Sequence, residues 1–300
     1  MRFAVVLNRD GGTLRTTDLD ALSRTLREVL ERAGHELDIE IVHGRDIAKA
    51  LDRAAAREGF DVVMAGGGDG TISAAAARLM DSPKALAVLP AGTMNLFARS
   101  LRIPQTLEHA IETFATGEIA SADIVTANGQ PFIHQFSTGM HARMVALREK
   151  MEFGSRLGKM RASVRAAWIA LRNPRSMDVA LTIDGVEIDA RATGLGVTNN
   201  LFGGNYLPYA DDPAGGVLGV YVMMAQRQTE LLRLVLDAVR GKWHDSPHVE
   251  THQGKKVVLK IRGRRRRWKA VMDGELVRLE NETIFEQHPG ALKVLVPANT

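Results

Sequence analysis

Phe60-Asp61-Val62-Val63-Met64-Ala65-Gly66-Gly67-Gly68-Asp69-Gly70-Thr71 is the stretch on which the fold turns. Its first half is an apolar run suited to a short buried strand, and its second half is a glycine-rich turn. A helix-forming run, Ile72 through Met80, follows at once. Strand, glycine turn and helix in that order make an anion site. Glycine lets backbone N–H groups approach a phosphate closely, and a helix N-terminus adds partial positive charge. Asp69 repels a bare phosphate but belongs beside one when Mg²⁺ lies between them. The turn therefore points to a nucleoside triphosphate and its metal. The same arrangement also serves as a plain connection in an α/β domain.

Working outward, strand and helix alternate through the first third of the chain. Arg2–Asn8 reads as a buried strand, followed by a loop with Gly11-Gly12. Leu19, Leu22, Leu26, Val29 and Leu30 recur at three- and four-residue spacing, which predicts a helix closed by Ala33-Gly34. Leu37, Ile39 and Ile41 alternate as a second strand, and Asp46 is placed to cap a helix carrying Ile47, Leu51 and Ala55. A fourth strand, Ala85–Leu89, ends in Pro90-Ala91-Gly92-Thr93, with a short helix from Met94 to Arg99. This order predicts a parallel sheet covered on both faces, a Rossmann-like or phosphofructokinase-like α/β nucleotide-binding domain. Ligands bind such sheets beyond the carboxyl ends of the strands. Asn8, Gly66–Thr71 and Gly92–Asn95 lie at that rim. The second turn strengthens the first, because Gly92 permits close backbone approach and Thr93 offers a hydroxyl.

Near Glu118 the pattern changes. Asn128-Gly129, Asp184-Gly185 and Asp273-Gly274 are strong hairpin signals. Ile119–Thr138, Met177–Asn199, Val217–Ala225 and Val249–Ile284 read as antiparallel β structure. A basic amphipathic helix from Arg143 to Arg172 and a helix from Thr229 to Arg240 interrupt it. The expected division is an α/β domain over 1–120 and a β-rich, sandwich-like domain over 121–287. The last run, Ala291–Val296, is free to return to either, and 288–300 is open to a return to the first.

The chain has 300 residues, is 45% hydrophobic and has a formal charge of +4. The absence of cysteine excludes disulfides, thiolate zinc sites and a thiol nucleophile. The apolar start is too short for a signal peptide, and no run is long enough to cross a bilayer. These features fit a cytoplasmic protein that meets membranes only at their surface. Arg262, Arg264, Arg265, Arg266, Arg267 and Lys269 form a dense basic block. Such a block suits an anionic surface or a solvated turn, and no nucleic-acid partner is expected. Gly154–Met160 is too short for a P-loop, and His244, His248 and His252 lack the ligand pattern of a zinc site.

Three segments taken together resemble the diacylglycerol kinase catalytic-domain family, which also includes sphingosine, ceramide and bacterial lipid kinases. They are Gly67-Gly68-Asp69-Gly70-Thr71, Pro90-Ala91-Gly92-Thr93-Met94-Asn95-Leu96-Phe97-Ala98-Arg99 and Asp273-Gly274-Glu275. The resemblance spans nearly the whole chain and implies an ATP- and Mg²⁺-dependent lipid kinase acting on a hydroxyl such as that of diacylglycerol. It implies that Asn8 with Gly11 and Gly12 forms the first nucleotide loop, although Arg9 replaces the usual proline. Gly66, Gly67, Gly68, Gly70 and Thr71, with Gly92, Thr93 and Asn95, would hold the nucleotide. Asp69 would act through Mg²⁺, Asp273 would be the general base, and Glu275 would lie near the metal. Asp123 matches an acidic position leading into the second domain. The family often carries an acidic pair for a structural Mg²⁺; here Gly215 stands where a carboxylate is expected, and Asp211 or Asp212 is the available substitute.

The resemblance also implies a lipid substrate and peripheral contact with an anionic membrane, served by Arg143–Arg172 or Arg262–Lys269. A homodimer is compatible with the sequence. Two other readings stay open. NAD kinases share the Gly-Gly-Asp-Gly-Thr turn, but their further signatures are missing. A catalytically impaired lipid-binding regulator would account for Gly215.

Overall fold

The computed structural model describes residues 1–149, 165, 174–204, 207–243, 246–262 and 268–298. Its N-terminal strands are β1 (Arg2–Asn8), β2 (Glu36–Val42), β3 (Val62–Gly67) and β4 (Ala85–Pro90). They pair in parallel, in the order β2-β1-β3-β4. β3 and β4 are buried at every position, as strands covered on both faces should be. The covering helices are α1 (Leu19–Arg32), α2 (Ile47–Ala56), α3 (Asp69–Leu79), α4 (Leu96–Ser100) and α5 (Leu107–Thr116). On α1, Leu22, Leu26 and Leu30 are buried, and Leu19 and Val29 pack at the margin. The expected cap at Asp46 is not made. Its side chain makes no bond to the N-terminus of α2 and lies beside Arg45 instead.

The remaining strands are β5 (Glu118–Ala127), β6 (Gln130–Phe132), β7 (Gln135–Gly139), β8 (Met177–Ile183), β9 (Val186–Ala192) and β10 (Gly194–Asn199). They continue with β11 (Leu218–Met223), β12 (Val249–Gly254), β13 (Lys256–Arg262), β14 (Lys269–Met272), β15 (Glu275–Arg278) and β16 (Glu282–Val296). A separate, wholly antiparallel sheet runs β12-β11-β10-β7-β14-β15. Val179 and Leu181 of β8 and Val257 and Leu259 of β13 share a core with Leu195 and Val197 of β10 and Val220 of β11. Two sheets are thus packed face to face. The expected fold class, a parallel α/β part with a β-rich antiparallel part, describes the molecule.

β16 joins the parts. Its first half pairs antiparallel with β13, and Val294 pairs in parallel with Leu86 of β4. β5 runs antiparallel along it, with a register shift between His288 and Leu292. All three hairpin signals are turns with positive φ at both central residues, including Asp273 at 46° and Gly274 at 89°. That is the geometry a two-residue type I′ connection requires. Helix α6 (Met140–Glu149) follows β7, and α7 (Gln228–Val239) follows β11. Beyond Glu149, the expected Arg143–Arg172 helix lies outside the described residues save for position 165, as do 263–267 of the basic block and His244.

Candidate active site

Three loops meet at the carboxyl rim of the parallel strands. β1 delivers Asn8, whose Nδ2 donates to Thr71 Oγ1 at 3.0 Å and so ties the first loop to the first turn of α3. Gly12, with φ of 50°, lies so close to the second bend that a Cβ would stand 1.7 Å from Ala91 O. Only glycine fits there. Ala91 N donates to Gly67 O at 3.1 Å, and a Cβ on Gly92 would stand 3.1 Å from Gly68 Cα. The two glycine bends are therefore in direct contact, with the Gly11-Gly12 loop against them. α3 begins at Asp69 with Gly68 as its N-cap, and a helix leaves its first N–H groups without intrahelical partners.

Asp69 does something its sequence context did not reveal. Its Oδ1 accepts from Leu96 N at 2.9 Å and its Oδ2 from Asn95 N at 3.3 Å. It thereby caps α4 and fastens one bend to the other. Asn95 has φ of 50°, and its Oδ1 accepts from Gly92 N at 2.7 Å, which closes the second bend on itself. Thr93 is exposed at the tip of that bend.

The β14–β15 hairpin brings Asp273 and Glu275 to the same place. A Cβ on Gly70 would stand 3.5 Å from Glu275 Oε1. Asp273 Oδ2 accepts from Ser73 Oγ at 2.5 Å and from Ile133 N at 2.9 Å. Its Oδ1 accepts from His134 N and Gln135 N, both at 3.0 Å. Burial pushes the Asp273 carboxyl above the ordinary value of 3.8, while the Ser73 and backbone hydrogen bonds pull it back. Asp273 is at once a hairpin residue and a cleft residue, so the two readings of Asp-Gly coexist.

A cavity of about 280 Å³ opens between the two parts. Asp69, Asn95, Phe97, His134, His141 and Asp273 line it with Ile72, Leu96 and Val145. Among its described lining residues none is Lys or Arg. His134 is held well down, at about 4, chiefly by burial, with Asp69 acting to raise it and His141 to lower it. His141 Nδ1 lies 2.6 Å from Ser137 Oγ. Ser73, His134 and the N–H run 133–135 were missed by sequence reasoning. Their partners lie more than a hundred residues away, and no local pattern announces such contacts.

The two metal expectations separate. Mg²⁺ in nucleotide sites is usually held by one or two carboxylates together with phosphates. Asp69 lies within the Gly68–Thr71 turn and Glu275 Oε1 beside Gly70, so these are the two carboxylates at the turn that could meet that demand. The structural site does not fit. Asp212 Oδ1 accepts from Ala214 N at 2.9 Å, and Asp211 packs against Gly203. Gly215 faces Asn200 Oδ1. Nearby Asp123 is held by neutral donors alone: Gly216 N, Gly290 N, Asn200 Nδ2 and Gln287 Nε2, at 2.7 to 3.1 Å. Among the described residues no three His, Asp or Glu converge on one point suited to an ion. Asp212 thus shapes its own loop, and among the described residues neither Asp211 nor Asp212 is joined to a carboxylate cluster.

Comparison with known proteins gives matching results. Residues 2–127 match the diacylglycerol kinase catalytic domain, and residues 135–296 match the YegS C-terminal NAD kinase beta sandwich-like domain. A diacylglycerol kinase of Staphylococcus aureus (strain USA300) is 25% identical over 232 residues, covering 76% of this chain and 73% of that one. A Bacillus anthracis (strain Sterne) structure described as a candidate diacylglycerol kinase superposes with a TM-score of 0.78 at 19% identity, covering 99% of this chain and 95% of that one. A second structure from the same strain, described as a diacylglycerol kinase, gives 0.70 at 18% identity, covering 99% and 97%.

Proposed function

The chain belongs to the diacylglycerol kinase catalytic-domain family, and we propose that it transfers the γ-phosphate of ATP to the hydroxyl of a neutral lipid alcohol such as diacylglycerol. The observation that carries this reading is the meeting of three glycine-bearing loops at one rim, two of which line a single cavity with Asp273. The Staphylococcus aureus relative named above is a diacylglycerol kinase, which supports the acceptor class. The missing further signatures weigh against NAD kinase chemistry, and the two carboxylates of a cavity without described cations are ill suited to an anionic dinucleotide.

Phosphoryl transfer needs positioning and charge neutralisation more than covalent help from the protein. The loops at 8–12, 66–71 and 91–95 would cradle the nucleotide phosphates. Bound Mg²⁺ would neutralise phosphate charge, held from the protein side by Asp69 and Glu275. The acceptor's head would occupy the cavity, with its hydroxyl at Asp273. A carboxylate offers about four lone-pair sites, and all four are filled. Three donors are backbone N–H groups fixed by the chain. Ser73 Oγ–H alone can rotate. The acceptor hydroxyl therefore enters at the Ser73 corner, either taking its place on Oδ2 or passing its proton through it. The raised pKa of Asp273 makes it a better base near neutrality than an ordinary aspartate.

The cavity lies at the lower limit of small-ligand pockets, roughly 300–1,000 Å³. It takes the head of a lipid and leaves acyl chains outside, which suits an enzyme working at a bilayer surface. No helix among the described residues is long and apolar enough to cross a membrane.

Hydrogen exchange tests the reading by separating the two substrates. Mg²⁺–ATP should slow exchange at 8–12, 66–71 and 91–95. Short-chain diacylglycerol in micelles should slow it at 133–135 and 273–275. Protection by NAD across both sets, with none from lipid, would transfer the assignment to a dinucleotide kinase.

A further inference from the structure

His134 combines features that a structural histidine has no need of. Its backbone N–H donates to Asp273 Oδ1, so its position relative to that carboxylate is fixed. Its ring stacks on Phe202 at 5.2 Å and 20°, and Phe202 in turn stacks on Tyr221 at 5.6 Å and 19°. Trp243 closes on both. The Tyr221 hydroxyl accepts from Phe202 N at 2.8 Å, which locks the column. The imidazole therefore has little freedom to turn in search of a partner. Yet its Nε2 is buried and finds no hydrogen-bond partner among the described residues. Buried polar atoms are nearly always paired, and an orphan asks for a reason. The residue that bears this one lines the cavity beside Asp273 and Asp69.

We propose that His134 receives the acceptor's head, its Nε2 hydrogen-bonding an oxygen of the alcohol seated in the cavity. This rests on the lipid-kinase reading and deepens it. Burial keeps the ring uncharged at neutral pH. An uncharged imidazole nitrogen donates or accepts according to tautomer. It can therefore meet either a hydroxyl or an ester carbonyl, and it adds no charge that would draw an anionic head into the site. The clamped ring and the anchored Asp273 then hold one acceptor oxygen from two sides. His134 sets where the hydroxyl stands and Asp273 addresses its proton. The aromatic column supplies the rigidity that such positioning demands.

The test uses His134→Phe, which preserves the ring stack and the backbone N–H while deleting the nitrogen. Removing an unpaired buried polar atom should leave the melting temperature unchanged or raise it. Binding is read by calorimetry with dispersed dioctanoylglycerol as probe, which needs no turnover. The variant should bind about tenfold more weakly, the fold-change of one lost hydrogen bond. In transfer assays its KM for the acceptor should rise while KM for ATP stays fixed. His134→Gln, which restores a polar atom, should recover part of the loss. Equal binding by wild type and His134→Phe, or no binding by wild type, overturns the proposal. So does a His134→Phe variant that unfolds while His134→Gln does not, for the nitrogen would then be needed by the fold itself rather than by the acceptor. Wild-type transfer measured in parallel judges the kinase reading separately: binding without transfer sinks that reading and leaves this one standing.

Discussion

Two carboxylates, Asp123 and Asp273, each accept hydrogen bonds from four donors, yet they belong to regions with opposite purposes. Asp123 is 1% exposed and sits where β5, β16 and the loop before β11 meet. Its donors are backbone and side-chain N–H groups from three separate segments. Each is held by its own surroundings, and the node is sealed. Asp273 takes three donors from one short run and the fourth from a serine hydroxyl on α3. It also lines a cavity. A count of hydrogen bonds does not separate a structural carboxylate from a chemical one. What separates them is an exchangeable donor and room for a reactant beside it.

The comparison breaks most visibly at Asp273. Asp273→Asn should lower phosphoryl transfer by about 10²–10⁴, the range for a lost acid–base group. Its amide would also face backbone N–H groups and cost about 1–3 kcal/mol of stability. The loss of rate should far exceed any unfolded fraction seen by circular dichroism. Wild-type turnover in the variant would place Asp273 in the same class as Asp123.

Asp123→Ala should behave in the opposite way. It strands four buried donors, and stability should fall by about 3 kcal/mol or more, read as a lower urea midpoint. Turnover per folded molecule should change little. Loss of turnover at unchanged stability would erase the distinction between the two sites.

The finest probe is Ser73→Ala. Burial already sets the Asp273 carboxyl above 3.8, and the Ser73 hydrogen bond opposes that rise. A base works when deprotonated, so the acid limb of kcat/KM should lie above that of an ordinary aspartate. Removing Ser73 should move it higher still, with about tenfold or less lost at the plateau. An acid limb that moves down, or not at all, would mean that another group is titrating.

Legibility in the sequence follows distance along the chain. The glycine bends, the alternating helices and the type I′ hairpins were readable because each is a local pattern of a few residues. Asp123 stands out by resemblance as an acidic position, but nothing local marks its four donors. Ser73 meets Asp273 across 200 positions, and His134 N meets it across 139. No periodicity encodes such pairs. The length of β16 was equally hidden. The strands read over Val249–Ile284 and Ala291–Val296 end and begin separately, whereas Gly290, with φ of 67°, sits at a register shift within one strand that serves both halves. The role of Asp69 was obscured for a different reason. A carboxylate beside a phosphate turn suggests a metal, and only coordinates reveal that it also caps α4.

The most direct test of the account is transfer of label from γ-labelled ATP, in the presence of Mg²⁺, to an acceptor offered from a panel of dioctanoylglycerol, other lipid alcohols, NAD and sugar phosphates. The account predicts that label enters an uncharged lipid alcohol and moves into the organic phase. Label in NAD or a sugar phosphate, or none in any acceptor while the folded protein still binds Mg²⁺–ATP, would contradict it.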